Sequence, residues 1–225
     1  MTAARWVLFA ALVAGSSYIG SWALPLPPAA AIAWKGAGVG LLAVYAALNA
    51  REMNAGALNG WLIAAVMTFG ALGDVVLETN GFVAGALAFL AGHLTAVGLY
   101  LRNRRPPVLA DLTYAGALFV FIILTAYLLP HDRATAGPVA IYATGLAAMT
   151  AAAWLSRFPR PLVAAGAMMF AASDLLIFLR TGRPALDVFP MSIAVWGLYF
   201  AGQALVVLGV TLRTASPATR LPEPA

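Results

Sequence analysis

Residues 57–78 read ALNGWLIAAVMTFGALGDVVLE. The run is long enough to cross a bilayer as a helix, which takes roughly 20 residues, and its only ionisable groups are Asp74 and the closing Glu78. Backbone polar groups in hydrocarbon must be satisfied within the segment, so this stretch predicts a membrane-spanning helix. Asp74 is out of place in it. A charged side chain at mid-bilayer costs roughly 2.5–3.5 kcal/mol on insertion scales, and bundles that need only stability do not keep such groups. The pattern Gly73-Asp74-Val-Val-Leu77 returns a hundred residues later as Ser173-Asp174-Leu-Leu-Ile177.

Working outward, the rest of the chain has the same character. Its 225 residues are 63% hydrophobic and 9% charged, with a mean hydropathy of +0.90, far from the composition of a water-soluble domain. The prolines fall between or at the edges of the apolar runs, where a missing N–H breaks no helix. With the polar runs 49–54 and 78–81 they delimit spans near 6–24, 29–48, 57–78, 82–101, 108–129, 138–155, 161–180 and 190–212. The expected fold is all-α: a polytopic membrane bundle of about eight transmembrane helices in one domain, residues 1–212. Residues 213–225 are expected to form a disordered cytoplasmic tail. The first span, with Arg5 before it, is long for a signal peptide and lacks a small-residue cleavage site, so it reads as a retained helix.

Charge sets the expected orientation. With the amino terminus in the cytoplasm, Arg5, Arg51, Arg102, Arg104, Arg105, Arg157, Arg160, Arg213 and Arg220 lie inside, and only Arg133, Arg180 and Arg183 outside. That bias follows the positive-inside rule, and the expected setting is a bacterial inner membrane with both termini on the cytoplasmic side. Topology therefore accounts for the net charge of +5, and no nucleic-acid partner is implied. Arg180 and Arg183 read as anchors of the outer interface, with phosphate binding as the alternative. Cysteine is absent, which removes disulfide, thiol and iron–sulfur chemistry.

Asp74 and Asp174 fall on the third and seventh spans, which suggests two four-helix halves. In the same register Phe89-Leu-Ala-Gly-His93 resembles Tyr199-Phe-Ala-Gly-Gln203, and Lys35 matches Tyr142. At 1.5 Å per residue both aspartates lie roughly 6–9 Å below the outer ends of their helices. Lys35 and Tyr142 enter from that side to a comparable depth, with His93 and Gln203 deeper. Convergence in depth is what a shared cavity predicts. Each has a plainer reading too: a lysine so near a span end can snorkel, tyrosines are common at interfaces, and histidine or glutamine can join helices by hydrogen bonds.

The inventory narrows the chemistry. A catalytic zinc takes three protein ligands, and two histidines, one of them in a loop, make a metal centre unexpected; no cofactor motif is present either. Ser173 and Asp174 are neighbours on a helix and point apart. What remains is a pair of carboxyl groups. In a poorly hydrated cavity two carboxyls divide a proton, leaving an acid and a base side by side, with Lys35 available to favour the anion. That arrangement suits reactions through an oxocarbenium ion.

At these residues the chain resembles the YhhN-like lysoplasmalogenase family of multi-helix membrane proteins. The matching pieces are Gly73-Asp74-Val-Val-Leu77, Phe82-Val-Ala-Gly85 with Phe89 and His93, Val139-Ala-Ile-Tyr142, Gly166-Ala-Met-Met-Phe170-Ala-Ala-Ser173-Asp174, and Tyr199 with Gln203. With Lys35 they extend over nearly the whole transmembrane region. The sequence departs in Ala96, one turn after His93, where a tyrosine is expected, and in Gly36, where a proline commonly follows the lysine. The resemblance implies hydrolysis of the vinyl ether bond of a lysoplasmalogen, releasing a fatty aldehyde and a glycerophospho-ethanolamine or -choline. The lysophospholipid comes from the surrounding membrane lipids. Asp74 and Asp174 are the implied catalytic pair, with Lys35, His93, Tyr142, Tyr199 and Gln203 binding substrate or tuning the acids.

Two other uses of buried carboxylates stand beside it. An intramembrane aspartyl protease is one, but Ala71 replaces a glycine in its Gly-x-Gly-Asp signature and no tyrosine precedes Asp174. A proton-coupled transporter is the other, and it predicts helices broken by Gly or Pro around the site.

Overall fold

The computed structural model describes residues 2–52 and 56–215. All eight expected spans form: α1 (Ala3–Ser21), α2 (Pro28–Glu52), α3 (Ala57–Asn80), α4 (Phe82–Arg102), α5 (Leu109–Leu128), α6 (Ala136–Leu155), α7 (Val163–Arg180) and α8 (Phe189–Ala215). Each is long and apolar enough to cross a membrane, and the protein is an integral membrane protein. The helices are unbroken at the depth of the two aspartates, unlike the interrupted helices a transporter reading predicts.

Departures from the expected spans lie at the ends. Helix α1 stops at Ser21, whose hydroxyl donates to Tyr18 O at 2.6 Å before the chain turns towards Pro25. Helix α2 runs on through the polar residues to Glu52, since leaving the bilayer does not itself end a helix. Helix α8 continues to Ala215, so the first three residues of the expected tail are helical, and 216–225 lie outside the described residues. Between α3 and α4 the chain reverses at Gly81 alone, with φ of 90°, a backbone conformation that costs little only without a Cβ.

Five helices form a ring around the centre of the bundle: α3 packs on α4, α4 on α6, α6 on α7, α7 on α8, and α8 back on α3. Helix α8 is the most buried, while α1 and α5 lie at the periphery, where Phe9, Val120, Phe121 and Leu124 are exposed as lipid-facing residues are. The order of neighbours partly repeats. Replacing α1 to α4 by α5 to α8 carries the α1–α2, α2–α3, α3–α4 and α4–α6 contacts onto α5–α6, α6–α7, α7–α8 and α8–α2. The α3–α8 packing has no equally extensive α7–α4 counterpart, so the two halves are alike but not equivalent.

Helices without water between them associate through close packing of small residues. At the α7–α8 crossing a Cβ on Gly166 would stand 2.6 Å from Gly202 O, and one on Gly202 would stand 2.7 Å from Gly166 O. The backbones touch there. One turn and more above, Ser173 Oγ donates to Val195 O at 2.9 Å and fixes the rotation of α7 just where Asp174 leaves it.

Taking the end of the bundle where α3 and α7 finish as the upper one, the lower end is closed by polar groups. Asp111 accepts from Arg105 at 3.0 Å and forms an ion pair with Arg160, which tie α5 to the loops after α4 and α6. The two arginines that converge on Asp111 leave its side chain only 16% exposed.

Candidate active site

Asp74 lies six residues before the end of α3, and Asp174 six before the end of α7. Both are buried, at 3% and 8% exposure. Each is met by a tyrosine. Tyr199 of α8 donates to Asp74 Oδ2 at 2.8 Å, and Tyr142 of α6 donates to Asp174 Oδ2 at 2.7 Å. Side chains on a helix lean towards its amino terminus. Helix α8 begins at the upper end and α3 at the lower, so Tyr199 leans up while Asp74 leans down, and the two meet although Tyr199 starts deeper.

Behind Tyr142 stands His93 of α4, its Nε2 3.0 Å from the tyrosine oxygen. Since the Tyr142 proton is given to Asp174, His93 donates through Nε2, and that tautomer is assigned by the network. The result is a relay from His93 through Tyr142 to Asp174.

The two aspartates do not meet directly: among the described residues no hydrogen bond joins them. Aromatic rings connect their surroundings. Phe170 packs edge-on to Tyr199, at 5.2 Å between centroids, and to His93, at 5.0 Å. Phe89 packs against both Phe170 and Tyr199. The ring helices α3, α4, α6, α7 and α8 thus each contribute to one apolar-walled centre whose polar atoms are two carboxyls, two phenols, an imidazole and the Gln203 amide. Gly70, one turn before Asp74, leaves the space that Gln203 and the Tyr199 hydroxyl occupy: a Cβ there would lie 2.7 Å from Gln203 Nε2.

Lys35 departs from the expectation. Its ammonium binds Glu78 Oε1 at 2.6 Å and neither aspartate. Glu78 is one turn above Asp74 on the same face of α3 and nearer water, where a carboxylate is cheaper to keep ionised, and Lys35 on α2 leans upward to reach it. Lys35 and Glu78 still act on Asp74 through space. Among the described residues Asp174 accepts from Tyr142 alone, a neutral donor as Tyr199 is for Asp74, and one turn above it stands the apolar Phe178 where Asp74 has Glu78.

Below the aspartates, a small cavity of about 20 Å³ is lined by His93, Gln203, Tyr100, Phe89 and Phe170 among others, which is room for one water. The Tyr100 hydroxyl is buried and has no hydrogen-bond partner among the described residues. Sequence reading missed this residue, which sits two positions before Arg102 and resembles an interfacial tyrosine. The available signal was its spacing: seven residues after His93, two turns on along one face.

The profile of the YhhN family matches residues 30–210, from before Lys35 to beyond Gln203. The chain belongs to the YhhN family. Two relatives named lysoplasmalogenase, from Mycobacterium bovis and Mycobacterium tuberculosis, are each 33% identical over 184 residues, covering 75% of this chain and 67% of theirs. No solved structure matches. The YhhN match spans α3, α4, α6, α7 and most of α8, and the whole of α1 lies outside it.

Proposed function

We propose that the protein is a lysoplasmalogenase: a membrane-embedded hydrolase that cleaves the vinyl ether of a lysoplasmalogen to a fatty aldehyde and a glycerophospho-ethanolamine or -choline. The observation that carries this reading, beside the names of its relatives, is the pair of buried aspartates, each with a tyrosine donor, around one aromatic-walled centre. Its substrate is a lysophospholipid drawn from membrane lipids, and its setting a bacterial inner membrane with both termini cytoplasmic.

A vinyl ether is cleaved by moving a proton to its β-carbon. The C=C pair takes the proton, the α-carbon becomes an oxocarbenium ion, water adds there and loses a proton, and the hemiacetal collapses to aldehyde and alcohol. Asp174, which has Phe178 one turn above it where Asp74 has the Lys35–Glu78 pair, is the donor in this scheme. Asp74, on the side of the Lys35 ammonium, is the carboxylate that faces the cation and takes the proton from water. Tyr142 with His93, and Tyr199, hold the two acids in orientation, while Gln203 and Tyr100 hold the water. Phe89 and Phe170 keep other water out.

The deciding experiment offers the purified protein in detergent a lysoplasmalogen and its saturated alkyl-ether analogue. Aldehyde is expected from the first alone, with losses of at least about a hundredfold in both Asp74→Asn and Asp174→Asn, as for removal of an acid or base. A folded Asn variant that keeps most of its activity would sink the two-carboxyl mechanism.

A further inference from the structure

The upper end of α7 carries a polar cleft that the acid–base chemistry leaves unused. It has a volume of about 440 Å³ and is lined by Arg180, Thr181, Gly182, Arg183, Pro184 and Asp187. The two arginines do different work. Arg183 Nη1 donates to Leu129 O and Leu179 O, both at 2.6 Å, and so caps the ends of α5 and α7. Arg180 is engaged only through Nη1, which donates to Ser192 Oγ at 3.3 Å and stands 3.7 Å from Asp187 Oδ1. Among the described residues its Nε and Nη2 enter no hydrogen bond. An arginine edge of that kind fits two oxygens of one phosphate. Asp187 is 70% exposed and beyond hydrogen-bond distance, so an entering anion can displace it. Two arginines against one aspartate leave the cleft with a net positive charge.

Its height above the acids fits the proposed substrate. Arg180 and Thr181 follow Asp174 by six and seven residues, a rise of about 9–10 Å, and seven residues bring Thr181 back to nearly the same face. In a lysoplasmalogen seven bonds separate the β-carbon of the vinyl ether from phosphorus, about 8 Å when extended. Phe178, one turn above Asp174 on α7 and edge-on to Tyr142 at 6.0 Å, is buried and keeps the level between acid and cleft apolar.

We propose that this cleft receives the phosphodiester of the lysolipid, with the free edge of Arg180 as its anchor and the distance to Asp174 setting which bond reaches the acid. The inference rests on the vinyl-ether reading above.

The test compares lysoplasmenylethanolamine with the 1-alkenylglycerol that lacks the phosphate. Arg180→Gln is expected to raise KM for the first by at least about tenfold, with kcat little changed and kcat/KM for the second unaltered. Arg180→Lys, which keeps charge but not the fork, should fall between. Asp187→Asn, which leaves Arg180 in place and removes its competitor, should lower KM for the phosphate-bearing substrate. Equal losses on both substrates, or none on either, overturn the assignment. A binding arm uses the uncleavable 1-alkyl lysophosphoethanolamine in phosphate-free detergent. It should raise the unfolding temperature of the wild type more than that of Arg180→Gln, and inorganic phosphate at the same concentration should not. An equal shift in both proteins, or one reproduced by inorganic phosphate, overturns it. If the wild type cleaves neither vinyl ether, the hydrolase reading fails and the binding arm alone decides this site.

Discussion

The Tyr199 hydroxyl donates to Asp74 Oδ2 at 2.8 Å across the α3–α8 interface, and this bond joins the first half of the chain to the last helix inside the site. Its counterpart is Tyr142 on Asp174 at 2.7 Å. A hydrogen bond to a charged partner contributes about 1.5–3 kcal/mol; Asp74 is the carboxylate and Asp174 becomes one as it gives up its proton, so Tyr199→Phe and Tyr142→Phe should each lower kcat by about tenfold to a hundredfold. Both rings keep their packing against neighbours, and the fold should survive. Steady-state aldehyde release beside thermal unfolding in detergent makes the check. Unchanged kcat in either variant would mean that its tyrosine is only a packing residue.

The direction of proton transfer leaves a mark on the product. If Asp174 protonates the β-carbon of a vinyl ether, reaction in D₂O places one deuterium on carbon 2 of the aldehyde, next to the carbonyl. Mass spectrometry of aldehyde trapped as it forms should show a single added deuterium at that carbon. Attack at the glycerol carbon or displacement at the vinyl carbon would release an enol that also takes deuterium at carbon 2, but in free solution and from either face. Asp174 as the acid should therefore give one enantiomer of the labelled aldehyde, and a racemic label would remove the need for a carbon acid in the site.

Lys35 separates two readings that the sequence left together. Its pair with Glu78 is partly exposed, at 14% and 41% of the two side chains, and such pairs contribute at most about 1 kcal/mol to stability. Glu78→Gln should therefore leave the unfolding midpoint almost unmoved. Lys35→Met removes the cation that acts on Asp74 and should cost about tenfold in kcat, the equivalent of ~1.4 kcal/mol of lost stabilisation. Full activity in Lys35→Met would reduce Lys35 to an interfacial residue.

Depth was legible in the sequence and lateral position was not. The apolar runs and their prolines located all eight helices, because length and hydropathy follow directly from bilayer thickness. A fixed rise per residue put Asp74, Asp174, Lys35 and Tyr142 in one layer. Rotation about each helix axis is set by packing, and that is where the reading ran out. Glu78 and Asp74 are one turn apart on one face, so the sequence could not choose which of them Lys35 binds. Tyr199, four residues before Gln203, read as a cavity residue, but its partnership with Asp74 depends on how α8 is seated in the ring. That seat is fixed by Gly166 and Gly202, which a sequence shows only as two of 21 glycines.

The same Gly→Ala change should have opposite effects at two places. In an exposed helix interior, alanine is favoured over glycine by about 1 kcal/mol, and a Cβ on Gly116 of α5 meets nothing within 4 Å. Gly116→Ala should leave the unfolding midpoint equal or higher. At Gly166 the new methyl would stand 2.6 Å from Gly202 O and 3.0 Å from Val206 Cγ2, and neither backbone can yield without moving α7 off α8. Overpacking of this kind costs about 1–3 kcal/mol. It should also lower kcat, because Phe170 and Asp174 on α7 and Tyr199 on α8 hold their places through that crossing. Gly166→Ala with an unchanged midpoint and full activity would show that the two helices are not seated on each other through these glycines.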